Sequence, residues 1–239
     1  MKKKCLIILI VLLLMPYFLD RPIASGYSTL NKNDEKVIYL TFDDGPSIMT
    51  DKVLDILKKN DVKATFFLIG NQLKGQEAVV KRISTEGHSI GLHTYTHTYK
   101  KIYSNRKEFI SEMLKSQSEI SSITGFKPTI MRFPFGSRNH LTKAFLEQLH
   151  SYNFKVYDWN AAMSDGVNCK TAPDKLYREA TKTTITDHPI ILLMHCDYAH
   201  KNTCKALPRV IKFYKDNGYE FKIISDKTPE NYFPIKSNK

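Results

Sequence analysis

Val37-Ile38-Tyr39-Leu40-Thr41-Phe42-Asp43-Asp44-Gly45-Pro46 is the stretch that decides the fold. A short apolar and β-branched run that breaks on two carboxylates and a Gly-Pro turn predicts a buried strand ending at residue 42. Comparable runs occur at 64–69, 88–92, 129–133, 154–159, 190–194 and 221–224, which makes seven expected strands. Between them, apolar residues recur at helical spacing: Val53, Ile56 and Leu57; Val79, Val80 and Ile83; Phe109, Ile110, Met113 and Leu114; Leu141, Phe145 and Leu149; Leu207, Val210, Ile211 and Tyr214. Ser47 or Thr50-Asp51 opens the first helix, Pro128 introduces the fourth strand and Gly218 stops the last helix. Strand-helix alternation predicts a parallel α/β sheet, and seven units over about 200 residues suffice to close, or nearly close, a single-domain barrel. In such folds the chemistry lies at the C-terminal ends of the strands.

The composition fits one globular domain. Of 239 residues, 42% are hydrophobic and 25% charged, with ten Gly and ten Pro, which excludes a disordered or collagen-like chain. The beginning of the chain differs from the rest. Met1-Lys2-Lys3-Lys4 precedes fifteen uncharged, mostly aliphatic residues, 5–19. This is the pattern of an export segment, and we expect residues 1–25 to be a cleaved signal peptide or a retained membrane anchor, with a linker at 26–35. Either way the lysines stay inside and the domain at 36–239 is secreted or held at the cell surface. Residues 1–25 hold four of the basic side chains and one of the acidic ones, so the net charge of +12 falls to +9 without them. Outside a cell that charge suits an anionic polymer or surface, or a solvated lysine-rich face, better than nucleic acid. Beyond Cys5, the cysteines are Cys169, Cys196 and Cys204. One bridge, between Cys196 and Cys204 with Cys169 as a competing partner, and three isolated thiols are both compatible with the spacing.

The expected strand ends carry the reactive side chains. At the first, Asp43 and Asp44 point in different directions, so one can bind a metal while the other faces water. At the third, His93 and His97 stand four residues apart, the spacing that puts two imidazoles on one face of a helical turn. With one carboxylate they complete a two-His, one-carboxylate metal set with positions left open. At the fourth, Arg132 can pair with the metal-free aspartate, and Pro134 and Gly136 tighten a loop whose N–H near Phe135 can meet an oxyanion. At the sixth, His195 can protonate a leaving amine, oriented by Asp165, while Leu193 lines an apolar pocket on the same face.

The ordered blocks Thr41-Phe42-Asp43-Asp44-Gly45-Pro46, His93-x-x-x-His97, Arg132-x-Pro134-Phe135-Gly136, Trp159 to Asp165, and Leu193-Met194-His195 resemble the motifs of the polysaccharide deacetylases, carbohydrate esterase family 4, or NodB homology domain. The resemblance covers residues 36–226. It implies a distorted (β/α) barrel of about seven parallel strands and metal-dependent removal of acetyl groups from an N-acetylated sugar polymer. It also implies that Asp44, His93 and His97 bind the metal, usually zinc, with cobalt and iron as other fits. Asp43 is then the general base, oriented by Arg132. Phe135 supplies an oxyanion N–H, His195 is the acid tuned by Asp165, and Leu193 cradles the acetyl methyl. Many relatives have Trp after the aspartate of the fourth motif. Here Gly166 stands there, which opens the groove on that side, and the only tryptophan is Trp159, the remaining candidate for substrate contact.

A monomeric enzyme acting on cell-wall peptidoglycan N-acetylglucosamine is the first expectation. Chitin oligomers, an exopolysaccharide and an inactive glycan-binding module are the alternatives. A non-haem iron oxygenase also uses a two-His, one-carboxylate set, but the second aspartate and the late histidine favour hydrolysis.

Overall fold

The first strand, β1 (Val37–Gly45), is the longest, and the alternation of its side chains builds both layers of the domain. Ile38, Leu40 and Phe42 are fully buried in an outer layer with Val53, Leu54, Leu57, Leu207, Val210 and Ile211. Val37 and Tyr39 point the other way, into a smaller inner cluster with Phe67, Ile130, Tyr157, Ile191 and Ile224. The next inward residues are Thr41 and Asp43. The period of two therefore delivers a carboxylate to the open end of the interior.

The computed structural model of the chain describes residues 36–182 and 189–236, so the leader and linker expected at 1–35 lie outside the described residues. The remaining strands are β2 (Thr65–Leu68), β3 (Ser89–Leu92), β4 (Ile130–Met131), β5 (Lys155–Val156), β6 (Ala161–Ala162), β7 (Ile190–His195) and β8 (Glu220–Lys222). They form one parallel sheet in the order β5-β4-β3-β2-β1-β7-β6. β8 pairs with Val37–Tyr39 of β1, below the Thr41–Gly45 segment that pairs with β2. The helices are α1 (Ile48–Lys59), α2 (Glu77–Thr85), α3 (Tyr99–Ile102), α4 (Arg106–Thr124), α5 (Lys143–Ser151), α6 (Pro173–Ala180) and α7 (Lys201–Asp216). The chain is thus a single α/β domain, a curled (β/α) barrel. β4, β5 and β6 are only two residues long, and β5 and β6 end the strand order without pairing with each other among the described residues. A parallel bridge from Tyr157 to Asn231 lays the C-terminal segment against β5, and the Tyr157 hydroxyl donates to the Ser225 and Thr228 carbonyls.

All seven expected strands are present. β6 is additional, because two alanines make no apolar run, although they pair with Leu192 and Leu193 of β7. α7 begins at Lys201, well before Leu207, and carries Pro208 inside it. Ser47 caps α1 by accepting from the Met49 N–H in a capping box with Thr50, and both hydroxyls donate to the Cys196 carbonyl. The α1 start is thereby tied to the end of β7, which brings the turn at Asp43-Asp44 beside His195. Cys169, Cys196 and Cys204 are free thiols. Among the described residues no helix is long and apolar enough to cross a membrane.

Candidate active site

At the C-terminal end of β1 the two aspartates part company. Asp43 is buried, and its Oδ1 accepts from Nη1 of Arg132 at 2.8 Å. Asp44 takes a left-handed backbone, φ 67°, which swings its carboxylate toward β3. Its Oδ1 lies 3.5 Å from Nε2 of His93 and 3.4 Å from Nε2 of His97, and is buried without a hydrogen-bond partner.

His93 shows which of its nitrogens is free. Nδ1 faces the Arg132 carbonyl at 3.0 Å, and a carbonyl only accepts, so Nδ1 carries the proton and Nε2 presents a lone pair to Asp44. Burial pushes the His93 imidazole below its ordinary range despite Asp43 and Asp44 beside it, which favours this neutral form. Ligands of a tetrahedral ion at about 2.0–2.1 Å stand roughly 3.3 Å from one another. The donor spacing and the unpartnered Asp44 oxygen therefore fit a divalent metal held by Asp44, His93 and His97.

The two histidines do not share a helical turn. They occupy a loop between β3 and α3 in which Thr94 (φ 65°) and His97 (φ 54°) are both left-handed, and these two residues fold His97 back onto His93, ring centroids 5.1 Å apart. Such a backbone costs about 1–3 kcal/mol per residue and is unusual for a β-branched threonine. Among the described residues outside the Asn/Asp/Gly class, only Thr94, His97 and Phe135 adopt it, and all three lie at this site.

Glu112 of α4, which sequence reasoning missed, braces the loop. Its Oε2 accepts from the Tyr95 and Thr96 N–H groups at 3.0 and 2.6 Å and from the Thr96 hydroxyl, and its Oε1 meets Lys101 Nζ at 2.7 Å. Burial works against the charge, but the Lys101 and Thr96 bonds hold the Glu112 carboxyl below its usual range. Replacing Glu112 by Ala is expected to weaken metal affinity about 10–100-fold, measured by competition with a chelating dye. Unchanged affinity would mean that the loop keeps its shape unaided.

Arg132 is wholly buried and spends its guanidinium on several partners. Nε donates to the Tyr157 carbonyl, Nη1 to Thr41 Oγ1 and Asp43 Oδ1, each at 2.8 Å, and the group lies over the Phe67 ring. The loop that follows is anchored from behind by Asp158, which accepts from the N–H and hydroxyl of Ser137 and from the Phe233 N–H. Gly136 leaves no room for a side chain against Phe233 and Trp159. Trp159 is partly buried against Phe233, so it backs this loop. Phe135 is 64% exposed, with its ring 5.2 Å from His97 and 5.6 Å from the exposed Tyr99.

On the other side, β7 runs in register with β1, so that Leu193 is paired with Thr41 and His195 with Asp43. Nδ1 of His195 lies 3.0 Å from Asp165 Oδ1, leaving Nε2 for the cleft. The remaining capacity of Asp165 is taken by the N–H groups of Gly166 and His195 and by the Thr203 hydroxyl. Burial pulls the His195 imidazole down, but the Asp165 hydrogen bond and charge, with Asp43 and Asp44, outweigh it and raise it to about 9. His200 donates from Nε2 to the Asp165 carbonyl and from Nδ1 to Asp197 Oδ1, so both ring nitrogens carry protons. Asp165, His195 and His200 lie close enough for a second metal, yet these hydrogen bonds already engage all their ring nitrogens except Nε2 of His195.

The ten residues singled out in the sequence thus gather at one end of the barrel, with Trp159 set back behind the Phe135 loop. Glu112, Asp158 and His200 went unnoticed because each acts across a distance in sequence that no spacing rule covers, and Asp197, three residues from His200, because its part depends on that ring's long-range bond to Asp165.

A polysaccharide deacetylase family profile matches residues 30–155. A peptidoglycan-N-acetylglucosamine deacetylase of Bacillus cereus is 36% identical over 211 residues, spanning 87% of this chain and 75% of the relative. The crystal structure of the polysaccharide deacetylase Bc1974 from Bacillus cereus has a TM-score of 0.75 at 36% identity, covering 84% of this chain and 96% of that one. A Streptococcus mutans CE4 esterase gives 0.73 at 32% identity, covering 80% and 87%.

Proposed function

The chain belongs to the polysaccharide deacetylase family, a hydrolase of N-acetyl groups, and from that premise we propose an exported, metal-dependent enzyme acting on peptidoglycan N-acetylglucosamine. One observation carries the reading. A clamped carboxylate, Asp43, stands between a three-residue ligand set and a histidine held by its own aspartate, all at the open end of β1.

Asp44, His93 and His97 would hold the ion, zinc in the first instance. When bound, a divalent ion acidifies water and polarises the amide carbonyl. Asp43 Oδ2 takes the proton from the attacking water, and Arg132 holds Oδ1 so that the carboxylate stays charged and oriented. The new C–O bond gives a tetrahedral intermediate whose oxyanion meets the Phe135 N–H. His195 protonates the nitrogen through Nε2, the C–N bond breaks, and acetate and a free amino sugar leave. Leu193 faces the acetyl methyl, while exposed Phe135 and Tyr99 offer a stacking ledge to the glycan. The basic domain at 36–239, carried out by residues 1–25 and spaced by 26–35, suits an anionic wall, where the enzyme works as a monomer. The wall-polymer preference also draws on the Bacillus cereus relative.

The test is acetate release from peptidoglycan and from chitin oligomers, with zinc or with chelator. Faster metal-dependent release from peptidoglycan supports the reading, and preference for chitin oligomers would move the substrate. No release from any N-acetylated glycan, with metal bound, would leave a binding module.

The pH profile adds a second test. His195 acts as an acid only while protonated, so activity falls as pH rises through its titration. Asp165 raises that titration, so Asp165→Asn is expected to move the alkaline limb of kcat/KM to lower pH. An unmoved limb would assign it to another group.

A further inference from the structure

The site holds one feature that the acid-base roles leave unused: the empty side-chain position at Gly166. A Cβ built there would stand 2.3 Å from Cε1 of His195, 2.7 Å from Nε2 and 2.9 Å from Nδ1. Instead of opening the groove, the absent side chain makes the space that the His195 imidazole fills. Gly166 does not have the left-handed backbone that would by itself demand glycine, so contact with the ring is the constraint. The ring has little freedom to retreat, because Nδ1 is bonded to Asp165 Oδ1, an oxygen that also accepts from the Gly166 N–H at 2.8 Å. The His200 ring is stacked on it, with centroids 5.3 Å apart and planes inclined by 25°. His200 is itself buried and fixed at both nitrogens, to the Asp165 carbonyl at 3.2 Å and to Asp197 at 2.7 Å.

We propose that Gly166 and His200 are a matched pair of positioning residues that set the His195 ring, the first by leaving it space and the second by backing it. The pair acts on the orientation of Nε2 toward the leaving nitrogen. Among the described residues, no hydrogen bond, ion pair or ring contact joins either of them to Asp44, His93 or His97. This inference rests on the proposed role of His195 as the acid.

The experiment measures kcat and KM for acetate release from chitin oligomers, together with zinc affinity, for Gly166→Ala, His200→Ala and the double variant, with His195→Asn as reference. Displacing the ring by about 1 Å is worth on the order of 100-fold in rate. Gly166→Ala is therefore expected to lose about 10–100-fold in kcat, with KM and zinc affinity close to wild type. Because both residues act through one ring, the double variant is expected to lose less than the product of the two single losses. His200→Ala keeps the result interpretable if Gly166→Ala does not fold, since it removes the stack without adding an atom and should lower kcat at constant KM. Gly166→Ala with wild-type kcat, or strictly multiplicative losses, would overturn the pairing. An active His195→Asn would overturn the acid role itself, a distinct failure.

Discussion

Asp43→Asn is expected to lower kcat for acetate release by about 10²–10⁴-fold, the range that a positioned general base contributes, with zinc still bound. The geometry separates the two effects. Asp44 Oδ1 is 3.5 and 3.4 Å from the two imidazole nitrogens, whereas Asp43 Oδ2 is 3.7 Å from His93 alone and its Oδ1 is committed to Arg132. An amide at 43 still offers Arg132 an oxygen, and the guanidinium keeps the Thr41 hydroxyl and the Tyr157 carbonyl, so the backbone ties of the site persist, although the buried guanidinium loses its counter-charge and the variant should melt below wild type. Asp44→Asn is the contrasting case: it should lose metal and activity together. Turnover of Asp43→Asn within tenfold of wild type, at equal zinc content, would remove Asp43 from the base role.

That contrast was already present in the sequence as two adjacent carboxylates at a strand end, and the reason is geometric. A period of two assigns Asp43 to the interior on the same logic that buries Val37 and Tyr39 there. What a strand pattern does not contain is the left-handed turn at Asp44, which redirects that side chain toward β3. The same holds for His93 and His97. Their spacing suggests a helical turn, but the residues that bring them together are Thr94 and His97 in strained backbone, braced by Glu112 from α4. Long apolar runs were legible because burial leaves a local pattern. β6 was not, because its alanines owe their place to pairing with β7. Gly166 was legible as a departure from the family, but its meaning depends on the ring of His195, twenty-nine positions away in the chain.

Arg132→Leu carries the largest expected cost to stability. The guanidinium is fully buried, and it is the partner that Asp43 uses to remain charged in the interior. Removing one member of a buried ion pair leaves the other uncompensated, at a cost of about 3–5 kcal/mol, or roughly 6–20 °C in Tm for a domain of this size. Three further bonds go with it, to Thr41, Tyr157 and the Asp158 carbonyl, so β1, β4 and β5 lose their common tie across the barrel. If the stranded charge is the main term, Arg132→Leu with Asp43→Asn should melt higher than Arg132→Leu alone, because no uncompensated carboxylate remains. If the lost backbone ties dominate, the double variant should melt no higher than the single one. Thermal melts of the single and the double variant decide between these, and a wild-type Tm for Arg132→Leu would contradict both accounts of what holds Asp43 in place.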